Sequence, residues 1–428
     1  MLSALIIAGC AQIFYSAMIS KLTGTTVSEL DDLPPLPPPS ALKAGLMTLY
    51  QHARPQLHIS PNDSFGACLM MKEDNDLLYE WIAFHYISLP LRYLFVGSDS
   101  GNTQDPRVVL DRWNETDLTY WVVDDNYFVN KHGPTPSRTE DAERAHHGFI
   151  HRQRGFITVC SEFMKAQNMS WVSYHDSDEF IVPHYVSKTE DEARQAAGDL
   201  DSKDDAPYSM RKRLHGANTI LEAIRRVIQE IKPCYTMPRV LFSSLENITC
   251  PDAVEVTELA KREFNYGQMS TLRFKQRASQ GDFATGKFGK VIVDLSRIQN
   301  VSAPPKNIHR PFKPACEYPA PVFQTSLFYI NHYVGSWERY SSRMDDRRSC
   351  KEWMSRAYFD KGNSCDQHIH EWFARFIETM GTEKAKYLLG VDRETETTKP
   401  VNRREKCPPV IAMNEKWNNV WGEDLSSA

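Results

Sequence analysis

The sequence predicts an α/β fold: a mixed, largely parallel Rossmann-like sheet flanked by helices, built as a single large domain. Three observations carry this reading. From residue 66 onward, short apolar runs alternate with stretches of helical spacing, the pattern of strand–helix–strand units. The chain has 428 residues, 41% hydrophobic and 11% aromatic, enough for one large or two ordinary domains with a sizeable core. No internal period is visible, which argues against a repeat array. The formal net charge of −5 lacks the basic excess of a general nucleic-acid binder, so no nucleic-acid partner is expected.

The elements follow in order. GACLMM (66–71) reads as a short buried strand. Asp74 or Asn75 can cap a helix through Leu78, Trp81, Ile82 and His85, and Pro90 closes that region. RYLFVGS (92–98) is a second strand that breaks into the turn-rich DSGNTQDP. PRVVLDRW (106–113) predicts a helix and LTYWVV (118–123) a third strand. Residues 140–168 read as mostly helical, with Phe156, Val159, Cys160, Phe163 and Met164 forming an apolar stripe. WVSYH (171–175) is a fourth strand. Residues 187–215 are polar and read as a surface insertion. A helix over 217–232 and strands VLFSS (240–244), STLRFKQ (270–276), KVIVDL (290–295) and SLFYINHY (326–333) complete the same domain. SCDQHIHEWFARFIETM (364–380) predicts a helix, and the tail at 396–428 is irregular.

The domain so defined spans 61–395, behind two segments of different character. Residues 1–20 contain no charged side chain, and about twenty apolar residues can span a bilayer. A type II signal anchor, a cleaved signal peptide and a soluble N-terminus remain open, as does a lipoprotein signal ending at Cys10. Residues 21–60 contain DDLPPLPPPS, which favours an extended polyproline II stem. Beyond Cys10 there are eight cysteines and no CxxC. An even number past a secretory signal fits up to four disulfides, although Cys68 sits in an apolar run where a free thiol can be buried. Asn62, Asn114, Asn168, Asn247 and Asn300 stand in Asn-x-Ser/Thr sequons, against roughly two expected by chance. Together these features favour the secretory pathway of a eukaryote.

Three Asp-x-Asp pairs occur, and context separates them. Asp74–Asp76 opens a helix, where acids cap amides. Asp199–Asp201 lies in the polar insertion. Only Asp176–Asp178, in WVSYHDSDEFIVP (171–183), stands between a buried strand and another apolar run. In α/β sheets ligands bind beyond the carboxyl ends of the strands. Clustered carboxylates there repel unless a cation joins them, and oxygen ligands suit manganese or magnesium. The alternative is a capped, salt-bridged acidic turn. Glu179, one position further, points elsewhere and reads as a structural ion pair or a substrate contact. GDFATGKF (281–288) imitates a phosphate loop, but Phe288 replaces the required Ser or Thr and a strand follows it. His309, His368 and His370 read as ordinary structural histidines.

At this point the sequence resembles GT-A-fold glycosyltransferases, most nearly glycosyltransferase family 92 and the family 2-like group. The likeness covers about 66–345 through CLMMKEDNDLLYEWIAFHYISLPLRYLFVGSDSGNTQD, HRQRGFITVC, WVSYHDSDEFIVP, GKVIVDLSRI and INHYVGSWERYSSR, in that order. It implies that Asp176 and Asp178 hold manganese on the donor diphosphate, with His332 as a further metal or phosphate ligand. Lys72 and Glu73 would border the nucleotide, and Asp99 would contact base or ribose. Arg152, Gln153 and Lys290 would belong to the donor site or support the sheet. KEDND departs from the plainer Asn-Glu pair of relatives at Glu73. No acid is marked as base for an inverting transfer; Asp366, Glu179, Glu246 and Glu338 are candidates.

The implied activity is transfer of a hexose, with UDP-galactose the family-level expectation, to a glycan or glycoprotein in the Golgi lumen. The chain would be a type II membrane protein or, alternatively, secreted. Two other classes compete. A metal-dependent phosphohydrolase would use the first Asp as nucleophile, but Glu179 and Phe180 follow the motif where such sites commonly carry Thr or Val. A non-catalytic glycan-binding protein could keep the same fold.

Overall fold

Alternate side chains of strand β1 (Phe65–Met71) enter different cores, and this fixes the layers of the molecule. The computed structural model describes residues 65–99, 102–124, 142–183, 232–244, 254–277, 289–302 and parts of 305–392, all within the compact unit Ala53–Ala428. After β1 come helix α1 (Asn75–Ser88), strand β2 (Leu91–Ser98), short helix α2 (Arg107–Leu110), strand β3 (Thr119–Asp124), helix α3 (Ala142–Ala166) and strand β4 (Trp171–Tyr174). Ala67, Leu69 and Met71 share a core with Trp81 and Ile82 of α1. Cys68 joins Phe156, Val159, Cys160 and Met164 of α3 in another. The expected apolar stripe of the long helix is thus its sheet-facing side.

The first sheet has the order β3-β2-β1-β4-β9-β6, where β6 is Cys234–Met237 and β9 is Lys290–Asp294. Its first four strands are parallel, whereas β9 runs antiparallel to both β4 and β6. A second sheet has the order β11-β8-β7-β10-β5. It comprises β5 (Glu179–Pro183), β7 (Arg239–Phe242), β8 (Gln276–Arg277), β10 (Phe328–Tyr333) and β11 (Ser364–Cys365). The molecule is therefore mixed α/β with two mixed sheets. The β-rich second half contributes two strands to the first sheet and builds most of the second.

Two sequence expectations are corrected. STLRFKQ is not one strand: Ser270–Arg273 form a helical turn, α5, before β8. The cause is Glu80 of α1, whose buried carboxylate accepts the N–H groups of Ser270 and Thr271 at 2.7 and 2.9 Å. That satisfies donors a helix start leaves open. Burial pushes the Glu80 carboxyl up to about 7 despite these bonds. The helix expected from 364 begins later, as α7 (Glu371–Met380), because Ser364 and Cys365 pair with β8 as strand β11. Helices α4 (Val254–Glu263), α6 (Trp337–Ser342) and α8 (Thr382–Leu388) were not anticipated.

Cys68 is not a free buried thiol. It is bonded to Cys160, tying β1 to α3, and a second disulfide joins Cys234 to Cys316. Among the described residues no helix is long and apolar enough to cross a membrane. The 1–20 segment, the 21–60 stem, the 187–215 insertion, most of the 217–232 helix, GDFATGKF and the 396–428 tail lie outside the described residues.

Candidate functional site

Strand β4 ends at Tyr174 and the chain turns through the DSD triplet into β5. The Glu179 N–H donates to the Asp176 carbonyl at 3.1 Å, and Trp81 Nε1 donates to the same carbonyl at 3.2 Å. Within this turn the side chains part company. Ser177 is buried and its Oγ donates to Asp74 Oδ2 at 2.7 Å. Asp176 faces outward with its side chain 47% exposed, and Asp178 keeps 14%. Asp74 does stand at the start of α1, but its side chain makes no cap bond there. Asp74 thus supports the DSD turn across the fold.

Glu179 is wholly buried and braces the turn from below. Its Oε2 accepts the Asp176 N–H at 2.9 Å and lies 3.4 Å from Lys290 Nζ. Its Oε1 lies 3.3 Å from Arg239 Nη1. Of the two expected roles, this is the structural ion pair. The carboxylate has no solvent face at which an acceptor hydroxyl could meet it, so the candidacy of Glu179 as base is withdrawn.

Lys290 reaches the turn because of strand register. β9 is antiparallel to β4 with Val291 opposite Tyr174, so its first residue comes level with the start of the turn. Lys290 Nζ stands 2.7 Å from Asp176 Oδ2. Partial burial of Asp176 pushes it up and so does Asp178, but the Lys290 ammonium and Arg239 outweigh them, and the net shift is downward. Burial would lower Lys290; Asp176 and Glu179 reverse this and raise it. Both members of the pair are held charged.

His332 arrives from the second sheet, opposite Glu179 in the β10–β5 register. Its Nε2 lies 3.6 Å from Asp178 Oδ1, and the Tyr333 N–H fixes the Asp178 carbonyl at 2.9 Å. Beneath the turn lies a pair of imidazoles. His85 Nδ1 bonds the Trp81 carbonyl at 2.8 Å, leaving Nε2 to accept the Ile181 N–H and to face His175 Nε2, each at 3.2 Å. Burial pushes His85 down to about 3 and His175 well below the usual imidazole value, in the latter case with help from His85 and Lys290. These two imidazoles are neutral.

The ends of β1 and β2 carry a separate cluster. Asp99, 1% exposed, is 3.0 Å from Arg152 Nη2 and 3.8 Å from Lys72 Nζ. Glu73 has a positive φ of 53°, uncommon for a side chain of this type. Its carboxylate accepts the Thr103 N–H and hydroxyl, while its own N–H donates to Asn102 Oδ1 at 3.0 Å. Glu73 therefore latches the loop after β2. Gln153 follows Arg152 on α3, and its buried Oε1 has no hydrogen-bond partner among the described residues.

The donor set at the DSD turn suits a hard cation: two carboxylates and an imidazole at the open end of the sheet. Among the described residues no three His, Cys, Asp or Glu side chains are already gathered as a metal site. Asp176, Asp178 and His332 are the side chains at this turn that could hold such a cation. Asp366 and Glu246 lie outside the described residues, as does the Glu338 side chain.

Sequence reasoning missed Arg239, the inward Ser177 and the His85–His175 pair. Trp81 and His85 were visible as i, i+4 neighbours on one helix face; their partner His175, just beyond β4, was not. No protein-family model matches the chain and no curated protein matches its sequence.

Proposed function

We propose that this chain is a metal-dependent glycosyltransferase with a GT-A-type domain similar to family 92. It would move a sugar, with UDP-galactose the first donor to try, onto a glycan or glycoprotein hydroxyl. One observation supports this most: Asp176, Asp178 and His332 come together at a strand end, and Asp176 keeps 47% of its side chain exposed although Lys290 pairs with one of its oxygens. A wholly salt-bridged acidic turn would enclose Asp176 as the fold encloses Glu179.

In this reading Asp176, Asp178 and His332 hold manganese or magnesium, which supplies charge neutralisation on the departing diphosphate. Glu179, with Lys290 and Arg239 behind it, fixes the turn so that the two aspartates keep their spacing. Trp81 and Ser177 hold the turn's backbone and its middle residue. Arg152, with Asp99 orienting it, presents a cation on the nucleotide side, and Lys72 stands beside it. The proton of the acceptor hydroxyl needs a base, for which Asp366 is the first choice and Glu246 and Glu338 the others. The disulfides agree with an oxidising compartment, and we place the domain in the Golgi lumen, anchored by residues 1–20 or secreted.

The test is transfer from a panel of nucleotide sugars by an Asp176→Asn/Asp178→Asn double variant. Metal stabilisation of several kcal/mol corresponds to a loss of about 10³-fold or more, measured at a urea concentration where the variant, which has lost the Lys290–Asp176 pair, is still folded. Transfer at the normal rate refutes the assignment. Phosphate release that needs no acceptor sugar points to the hydrolase instead.

A further inference from the structure

We propose that Asn168 and Asn300 carry N-linked glycans, at the pole of the first sheet opposite the DSD turn. This rests on the lumenal placement proposed above. Strand direction supplies the geometry. Asn168 directly precedes β4, so it lies beyond that strand's amino end, whereas the DSD turn lies beyond its carboxyl end. β9 runs antiparallel to β4 and pairs Asp294 with Trp171, so Asn300, which follows β9, comes to the same pole as Asn168. The two segments are bonded together: Lys165 Nζ donates to the Ile298 carbonyl, and the Leu295 N–H donates to the Ser170 carbonyl at 2.6 Å.

Both asparagines are exposed. Asn168 has a φ of 59° in the turn that ends α3, a conformation asparagine tolerates better than most side chains. Asn300 lies in an open turn in which its Oδ1 accepts the Ser302 N–H at 3.0 Å. A third sequon at this pole differs. Asn114, ahead of β3, is half-buried and its Oδ1 accepts the Tyr120 hydroxyl at 3.3 Å. A bulky, solvated glycan suits the first two and not the third. In the modification, the asparagine Nδ2 attacks C1 of the first sugar of a lipid-diphosphate-linked oligosaccharide. The Nδ2–C1 bond forms, the C1–O bond to diphosphate breaks, the lipid diphosphate leaves and one amide proton is lost to solvent. Glycans here leave the strand-end face bare for a large acceptor.

The experiment uses the full chain expressed in a eukaryotic secretory host, released with peptide N-glycosidase in heavy-oxygen water and read by peptide mass spectrometry. Asn168 and Asn300 should become labelled aspartates and Asn114 should not. Asn168→Gly, which keeps the positive φ without strain, and Asn300→Asp, which keeps the acceptor oxygen, should each remove one glycan step on a gel. Donor binding should be unchanged after enzymatic deglycosylation. Bare Asn168 and Asn300 in a chain whose Cys68–Cys160 disulfide has formed overturn the proposal alone. Five bare sequons together with reduced Cys68 and Cys160 overturn the lumenal placement, and the proposal with it.

Discussion

Two acidic clusters stand at the ends of the parallel strands, and they are built to opposite plans. At the ends of β1 and β2, Asp99 is enclosed, with Arg152 and Lys72 as its cations, and Glu73 spends both carboxylate oxygens on the Thr103 loop. At the end of β4, the enclosed acid is Glu179; beside it Asp176 pairs with Lys290 yet keeps 47% of its side chain exposed, and Asp178 keeps 14%. The first cluster is closed by the protein; the second leaves Asp176 half open to solvent. A carboxylate that meets all its partners inside the fold supports structure. One that keeps a solvent face beside its internal partner, as Asp176 does, can still meet a ligand.

The sharpest way to break this contrast is to remove the brace. Glu179→Gln leaves Lys290 and Arg239 facing each other with half their compensation gone. Loss of one partner from a buried ion pair costs about 3–5 kcal/mol, and the urea midpoint should fall accordingly. A loss of transfer with no loss of stability would instead make Glu179 a reacting group. Asp99→Asn should cost less, about 2 kcal/mol, because Lys72 is 32% and Arg152 19% exposed and both can turn to water. If Asp99→Asn is the more destabilising of the two, the ranking of the clusters is wrong.

Smaller in size per step is the pH signature of the floor beneath the second cluster. His85 and His175 are neutral in the folded protein, their values depressed by burial. Their contribution is present above the unfolded value of about 6.5 and is lost as pH falls toward the folded value. Glu80 acts in the opposite sense. Its folded value of about 7 exceeds its ordinary 4.5, so its contribution is lost as pH rises through 7 and gained as pH falls. Between pH 6.5 and 4.5 it partly offsets the histidines. Glu80→Gln should therefore make stability fall more steeply in that window, by about 1.4 kcal/mol per pH unit. Parallel profiles of urea midpoint against pH would contradict it.

Much of the first sheet was legible because its strands are hydrophobic runs bounded by turns, and because Asp176–Asp178 alone had such a run on each side. The helical stripe from Phe156 to Met164 was readable by period alone. What sequence concealed was nonlocal. Ser270–Arg273 looks like a strand until Glu80, 190 residues away, accepts its first N–H groups. Arg239 carries no motif, and its value depends on β7 lying beside β10. Glu179 reads like an equal third acid, and only burial shows it to be a support. Asp74 reads like a helix cap, since nothing in the sequence says that Ser177 will claim its oxygen.

The contrast between the clusters comes down to whether the DSD turn takes a cation when a diphosphate is present. Electron paramagnetic resonance of manganese(II), titrated with the full chain in the presence and absence of UDP, reads this directly. Expected is loss of the free-ion signal with protein and UDP together, far weaker loss without UDP, and none beyond the UDP control in Asp176→Asn/Asp178→Asn. Equal loss of the signal in wild type and in the double variant would contradict it.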